Sequence, residues 1–408
     1  MLAACCAVVG CHALGARTEL VLLVLVAVLL IGCPSANSQP APGGAPHPVD
    51  LRSYQHGIDF VPLPEGRYYL IWSSAGNPPL RIGRRGGWTH DIYYSVFDPA
   101  APRIDPIALI SYPQAQEPSS AAISKDGHIM ITMEDGWNTQ ESIAQRYGVY
   151  DASLKPVLPY PQMVFDGGHS GHVAAVGDRF VVFYGNEWVD GGGVDNLGSG
   201  DDVLAAVYSS TGRPEAMIDV AVGPATRDWW PILAGAESRA CLVWQRFVDG
   251  ETYADLMVVM LDPAAGALVG EPVTLQTEVK YYTYSVEYIP SVDRFLILGA
   301  FHAGGGFGYL LDENGKVTGY NGALPPIIRE SQSAVRDADG SALVAHITAP
   351  TGLMVLSVTG TEITLVKAIP DDYAWQYGGT DGIFLDANRV FIASLSSGGL
   401  VAKVFDIR

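Results

Sequence analysis

Three stretches of the 408-residue chain gather the side chains that do chemistry. Residues 73–90 include RIGRRGGWTH, which brings Arg81, Arg84, Arg85, Trp88 and His90 together. Residues 134–146 carry Glu134, Asp135 and Trp137, and residues 185–202 carry Asn186, Glu187, Trp188 and then DGGGVDNLGSGDD. Cation, carboxylate and indole in one region is the mixture a sugar-binding surface uses. The flat face of an indole stacks on a sugar ring or on another aromatic group. The same Trp residues can instead fold back as lids over their loops, and the sequence leaves both readings open. Asp190, Asp195 and Asp201, with Asn196 and Asp202, crowd a Gly-rich run. Oxygen ligands on such a backbone suit Ca²⁺, although the spacing is no EF-hand and also fits a solvated loop.

A second group is more dispersed. Asp59, Ser120, His172, Glu287, Gln332 and Asp381 each stand near the start of an apolar run. Two carboxylates at a channel mouth can hold a cation or serve as an acid/base pair. They can also cap backbone amides or pair with Arg, which would leave nothing for catalysis. His169 and His172 are three residues apart, which is no metal pattern by itself. Among motifs with a defined mechanism, no P-loop, GxSxG, HExxH or CxxC pair follows residue 33.

The elements that position these residues follow from internal repetition. Seven times the chain shows an apolar strand, a tight turn and a second apolar strand. These hairpins begin at Gly57, Ser119, Ser170, Trp229, Tyr284, Ser331 and Gly379. Each second strand is a largely apolar run of about five or six residues, as expected of a strand buried on both faces. A third strand follows each hairpin, and a weaker fourth follows the first six. The period, about 45 to 60 residues, is that of a β-propeller blade. The spacing therefore predicts an all-β, seven-bladed β-propeller of four-stranded antiparallel blades over residues 48–408. The seventh unit stops after its third strand, and residues 48–56, PVDLRSYQH, have no other assignment. They are expected to complete that blade and close the ring, with six or eight blades as alternatives. Closure makes Asp59 and Asp381 neighbours. In each blade the connections between second and third strands share one face with the starts of the first strands. The three chemistry-rich stretches are these connections in units one to three, and long loops on a rigid scaffold usually carry binding.

Composition fits. Gly and Pro supply 73 of 408 residues (46 and 27), about 18% against a usual 12% or so, which favours many tight turns. A net charge of −19 makes a nucleic-acid partner unfavourable.

Residues 21–32, VLLVLVAVLLIG, form an apolar run that is short for a transmembrane helix, which needs roughly 20 residues, with an uncleaved membrane anchor as the alternative reading. The run suits the core of a signal peptide. Leu30-Ile31-Gly32-Cys33 at its end resembles the bacterial lipoprotein signal. That resemblance implies removal of residues 1–32 and acylation of Cys33. Pro34 after the Cys implies an outer-membrane destination in a Gram-negative cell. Residues 33–47, rich in Pro, Gly and Ala, read as a tether that would reach about 45 Å as polyproline II. After cleavage and acylation only Cys241 keeps a thiol, and its setting, ACLVW, predicts a buried one. The strands RYYLIWSS and DIYYSVFD, and the turn Ser124-Lys125-Asp126-Gly127, resemble sialidase-like propeller repeats. The turn lacks the Trp of that motif, and the arginines and Tyr/Glu pair of that family have no matching motif here. The reading is thus a lipid-anchored, monomeric propeller that binds a glycan or protein on its long-loop face. The alternative is a carbohydrate-active hydrolase or lyase using the channel carboxylates. Whether those carboxylates are engaged by amides or cations separates the two.

Overall fold

The computed structural model describes residues 57–74, 81–82, 87–88, 90–112, 116–135, 143–186, 202–223, 225–373, 375, 379–396 and 399–408. Cys33, the tether, residues 48–56, Arg84, Trp137, Glu187, Trp188, Asp190, Asp195 and Asp201 lie outside them. Of Trp88 only the backbone is described.

Among the described residues every regular element is a strand, apart from the short 3₁₀ turns Pro64–Gly66 and Pro290–Val292. The strand leading each repeat is numbered here. The first sheet runs β1 (Ile58–Pro62), Tyr68–Ser74, Asp91–Phe97, Ile107–Ile110. The second is β2 (Gln116–Ile123) with Ile129–Asp135, Ala144–Tyr150 and Pro156–Asp166. The third is β3 (His169–Val176) with Arg179–Asn186, Asp202–Ser209 and Pro214–Ala221. A seven-stranded sheet follows, led by β4 (Asp228–Gly235) and containing β5 (Ala267–Ile289). Then come a four-stranded sheet led by β6 (Ala334–Ala338) and a three-stranded one led by β7 (Thr380–Phe384). Within each sheet neighbours in sequence are neighbours in space and antiparallel, as short turns require.

The seven-stranded sheet corrects one expectation. The fourth strand of unit four and the first of unit five were expected to be separate, yet β5 runs through both over 23 residues. Its first half pairs with Ala254–Asp262 and its second half with Arg294–Phe301, and Val279 pairs in both directions. The segment TLQTEVKYYTY has no Gly or Pro to break it and is rich in β-formers. The chain bends there without ending the strand, through positive φ at Glu278 (56°) and Tyr282 (58°).

The apolar second and third strands explain the packing. In Arg179–Asn186 all six central residues are buried, so both faces of the sheet meet other sheets. Val181 and Phe183 of the third sheet pack with Leu242, Trp244 and Met257 of the next. The same layering joins each repeat to its successor. It also joins the last to the first, where Ile383, Phe391 and Leu395 pack on Ile58, Leu70 and Trp72. Phe97 and Phe391 stand 4.6 Å apart across that joint. Each such side chain contributes roughly 1.5–3 kcal/mol on burial, so the interfaces between sheets are the core. Cys241 is a buried free thiol, as its sequence setting indicated.

Candidate functional site

The leading strands meet one another at their starts, and there the backbone repeats an unusual feature. Gly57, Ser170, Trp230, Tyr282, Glu330 and Gly379 all have positive φ, between 53° and 84°. They fall at or just before the inner part of β1, β3, β4, β5, β6 and β7. In β3, β4 and β5 the same place interrupts the ladder register. An extra residue in one strand bends it and leaves groups unpaired. For bulky residues such as Trp230 and Tyr282 this conformation costs on the order of 1–3 kcal/mol each. Gly57 is required: a Cβ there would lie 2.1 Å from the Ser119 carbonyl oxygen.

The starts of β1 to β6 border a cavity of about 90 Å³, lined by residues that include Asp59, Ser120, His172, Trp230, Tyr284 and Ser285. Antiparallel pairing puts it at the edge where the second strands end: Ile58 faces Trp72, Gln116 faces Asp135, and His169 faces Gly185. From those ends depart the three long connections singled out in the sequence.

The carboxylates of the cavity region are engaged. Asp59 Oδ2 accepts from the Ala121 amide of β2 at 3.0 Å, and Oδ1 accepts from Gln332 Nε2 at 3.2 Å. Asp381 accepts from the amides of Phe60 (2.8 Å) and Gly382 (2.6 Å). Glu287 Oε1 accepts from the Ser333 amide at 2.8 Å and keeps partial exposure. Each therefore fastens one leading strand to the next. Other joints use neutral groups. Ser120 Oγ accepts from Val173 N (3.1 Å), Gln245 Oε1 from Tyr282 N (2.7 Å), and Tyr284 donates to Trp230 O (2.6 Å). The Gln332 amide donates to Thr380 O at 2.7 Å.

Burial decides the electrostatics. Desolvation pushes Asp59 up to about 7 against the pull of its hydrogen bonds to Gln332 and Ala121. It pushes Glu287 up to about 7 as well, with the charge of Asp59 adding to the rise. Asp381 is driven well above the usual carboxylate range by burial, then by Asp59 and Glu287. The three are thus one coupled cluster, and at neutral pH it holds protons. They were expected at an open mouth, but Asp59 and Asp381 are buried, 8% and 6% exposed. Side chains that point between leading strands cannot also face bulk water.

The histidines divide. His169 is fully buried and lies on Trp229, centroids 4.4 Å apart, and burial lowers its pKa to about 4. His172 lines the cavity, with Nδ1 2.8 Å from Pro231 O and 3.1 Å from Ser170 O. Two carbonyl neighbours place the proton on Nδ1. Glu134 and Asp135, expected in a loop, belong to the strand Ile129–Asp135. Glu134 accepts from the Ser170 amide (3.2 Å), while Asp135 binds Arg146 (2.7 Å) and the Tyr160 hydroxyl (2.6 Å). Ladder pairing with Gln145 and Ala144 extends the strand through both residues. The stretch before Asp91 also contains a ribbon, Arg81–Ile82 paired with Gly87–Trp88.

Several site residues escaped the sequence reading. Trp230, Tyr284 and Ser285 looked like ordinary strand positions. Gln145 and Gln245 each clasp an amide of the following repeat, Gly171 at 3.0 Å and Tyr282 at 2.7 Å. A signal existed: both precede Arg, in AQRYG and VWQRF, and both arginines hold an Asp of their own sheet. Among the described residues no three His, Cys, Asp or Glu side chains converge to hold a metal ion.

No protein-family model and no curated protein matches the sequence. Among solved structures, a chain of the mitotic checkpoint complex aligns with TM-score 0.51 and 11% identity. The match covers 90% of this chain and 96% of that one. The WD40 domain of Toxoplasma gondii coronin gives 0.49 at 9% identity, covering 88% and 83%. The Hadza microbial sialidase Hz136 gives 0.47 at 9%, covering 78% and 74%. At such identities the likeness is one of fold. The repeated antiparallel sheets, each packed on the next and the last on the first, make the chain an all-β, propeller-like protein.

Proposed function

We propose that the chain is a seven-bladed β-propeller that binds a glycan or protein ligand on the face of its long connections and does no chemistry there. Residues 48–56 supply the outer strand of the last blade and close the ring. Cys33, acylated after removal of residues 1–32, anchors the domain to the outer membrane of a Gram-negative cell through the tether.

The observation that carries the binding reading is the use of the carboxylates. Asp59, Glu287 and Asp381 each accept a backbone amide from a neighbouring strand. A glycosidase needs two carboxylates free to meet substrate across a scissile bond, and these hold the leading strands together instead. What is left for recognition is the edge above the cavity, where the connections bearing Arg84, Trp88, Trp137, Glu187 and Trp188 leave the sheets.

The test is a glycan microarray probed with the full chain, beside a variant carrying Trp137→Ala and Trp188→Ala. A stacking indole at a hot spot contributes on the order of 2 kcal/mol, so the variant should bind the captured glycans at least tenfold more weakly. Its melting temperature should stay unchanged. A fall of several degrees with binding intact would make the two indoles lids and return the search to the cavity.

A further inference from the structure

The cavity at the starts of the leading strands has a composition its surroundings leave unmatched. One side is apolar, with Val173, Ile232, Leu233 and Val286 beside the rings of Trp230 and Tyr284. Asp59 also lines the cavity, and Glu287 and Asp381 lie within its electrostatic reach. Among the described residues no Lys or Arg forms an ion pair with any of these three, and no cation figures among the influences on their protonation. Glu330, the other acidic residue of the wall, is held by Arg329 at 2.6 Å, and that guanidinium lies 4.2 Å over the Tyr282 ring. Its charge is already balanced.

A separate observation points to a missing partner. The Ser285 hydroxyl is buried, 2% exposed, and among the described residues no hydrogen bond reaches it. Ser285 lines the cavity and stands two residues before Glu287, on the same face of β5. Buried hydroxyls are normally paired, because an unmade hydrogen bond in a low-dielectric site is costly.

We propose that this cavity binds a small organic cation, a primary ammonium on a short apolar stem. The ammonium donates to Asp59 and to Ser285 Oγ, with Glu287 adding to the negative field. The stem packs on Val173, Ile232 and Val286, and Trp230 offers a π face to the charge. A volume of about 90 Å³, at roughly 10–15 Å³ for each water-sized probe, limits the ligand to no more than about nine heavy atoms. This site is independent of the long-loop ligand.

The experiment is a ligand-observed NMR titration of the full chain at pH 8 with butylammonium, 1-butanol and calcium chloride in parallel. Butylammonium should bind one-to-one. Asp59→Asn should weaken it at least tenfold, and Glu287→Gln and Ser285→Ala about threefold each. The last two leave the amide clasps intact, since a Gln oxygen still accepts from Ser333, so they report even if Asp59→Asn fails to fold. Equal binding of 1-butanol would overturn the proposal in favour of an apolar cavity. Displacement of butylammonium by calcium would overturn it in favour of a metal site. Binding of none of the three would leave a water-filled channel and overturn it as well.

Discussion

Asp59 carries the largest consequence that can be worked from the structure. It is buried between β1 and β2, with no Lys or Arg paired to it among the described residues, and its pKa rises from 3.8 to about 7. A carboxylate whose folded pKa exceeds its unfolded value binds its proton more tightly when folded. Its contribution to stability is therefore fully present below about 4 and is lost as pH rises through about 7. The whole shift corresponds to ~4 kcal/mol, of which roughly 2–3 kcal/mol falls between pH 5 and pH 8. His169 and His346, lowered by burial to about 4 and about 3, act in the opposite direction as pH falls below about 6.5. Comparing wild type with Asp59→Asn cancels them, because both proteins keep both histidines. The Asn oxygen can still accept the Ala121 amide. For about 350 folded residues an unfolding entropy near 2.1 cal/mol/K each converts 2–3 kcal/mol into roughly 3–4 °C. Scanning calorimetry should then show Asp59→Asn gaining about 3–4 °C on wild type between pH 5 and pH 8. A difference between the two proteins that stays constant across that range would mean that Asp59 remains ionised in the fold. The burial argument for the cluster would then fail.

Other outcomes follow from the same structure and sequence. Gly57→Ala places a Cβ against the Ser119 carbonyl at a φ of 78°. It should cost about 2–4 kcal/mol by chemical denaturation, and a loss under 0.5 kcal/mol would show that β1 and β2 are not so close. Cys33→Ser should move the protein from the membrane fraction to the soluble one with its melting temperature intact, and unchanged fractionation would remove the anchor. Deleting residues 48–56 should lower the melting temperature by several degrees while deleting 34–46 leaves it unchanged; equal values would end the case for ring closure by that segment.

How much of this was legible in the sequence depends on the range of the interaction involved. The strands were, because apolar runs and Gly, Asp or Asn turns are local signals that repeat seven times. Even the three-strand last unit could be read directly, and the described residues of that sheet do form three strands. The continuous β5 could not be read, because its two halves belong to different repeats and only pairing with both partners keeps the middle extended. The residues near the strand starts were found in part. Asp59, His172, Glu287 and Asp381 stood out as polar side chains in apolar runs. Their task did not, since it depends on which amide each one meets: Asp59 that of Ala121, 62 positions away, and Asp381 that of Phe60, 321 away. Ser285 and Trp230 look like strand filler until the starts of β1 to β6 bring them to one cavity. Periodicity and turn chemistry act over a few residues and are written in the order of the chain. Burial, and the proton affinity it imposes on Asp59 and Glu287, arises when sheets far apart in sequence exclude water together, and only the tertiary structure decides it.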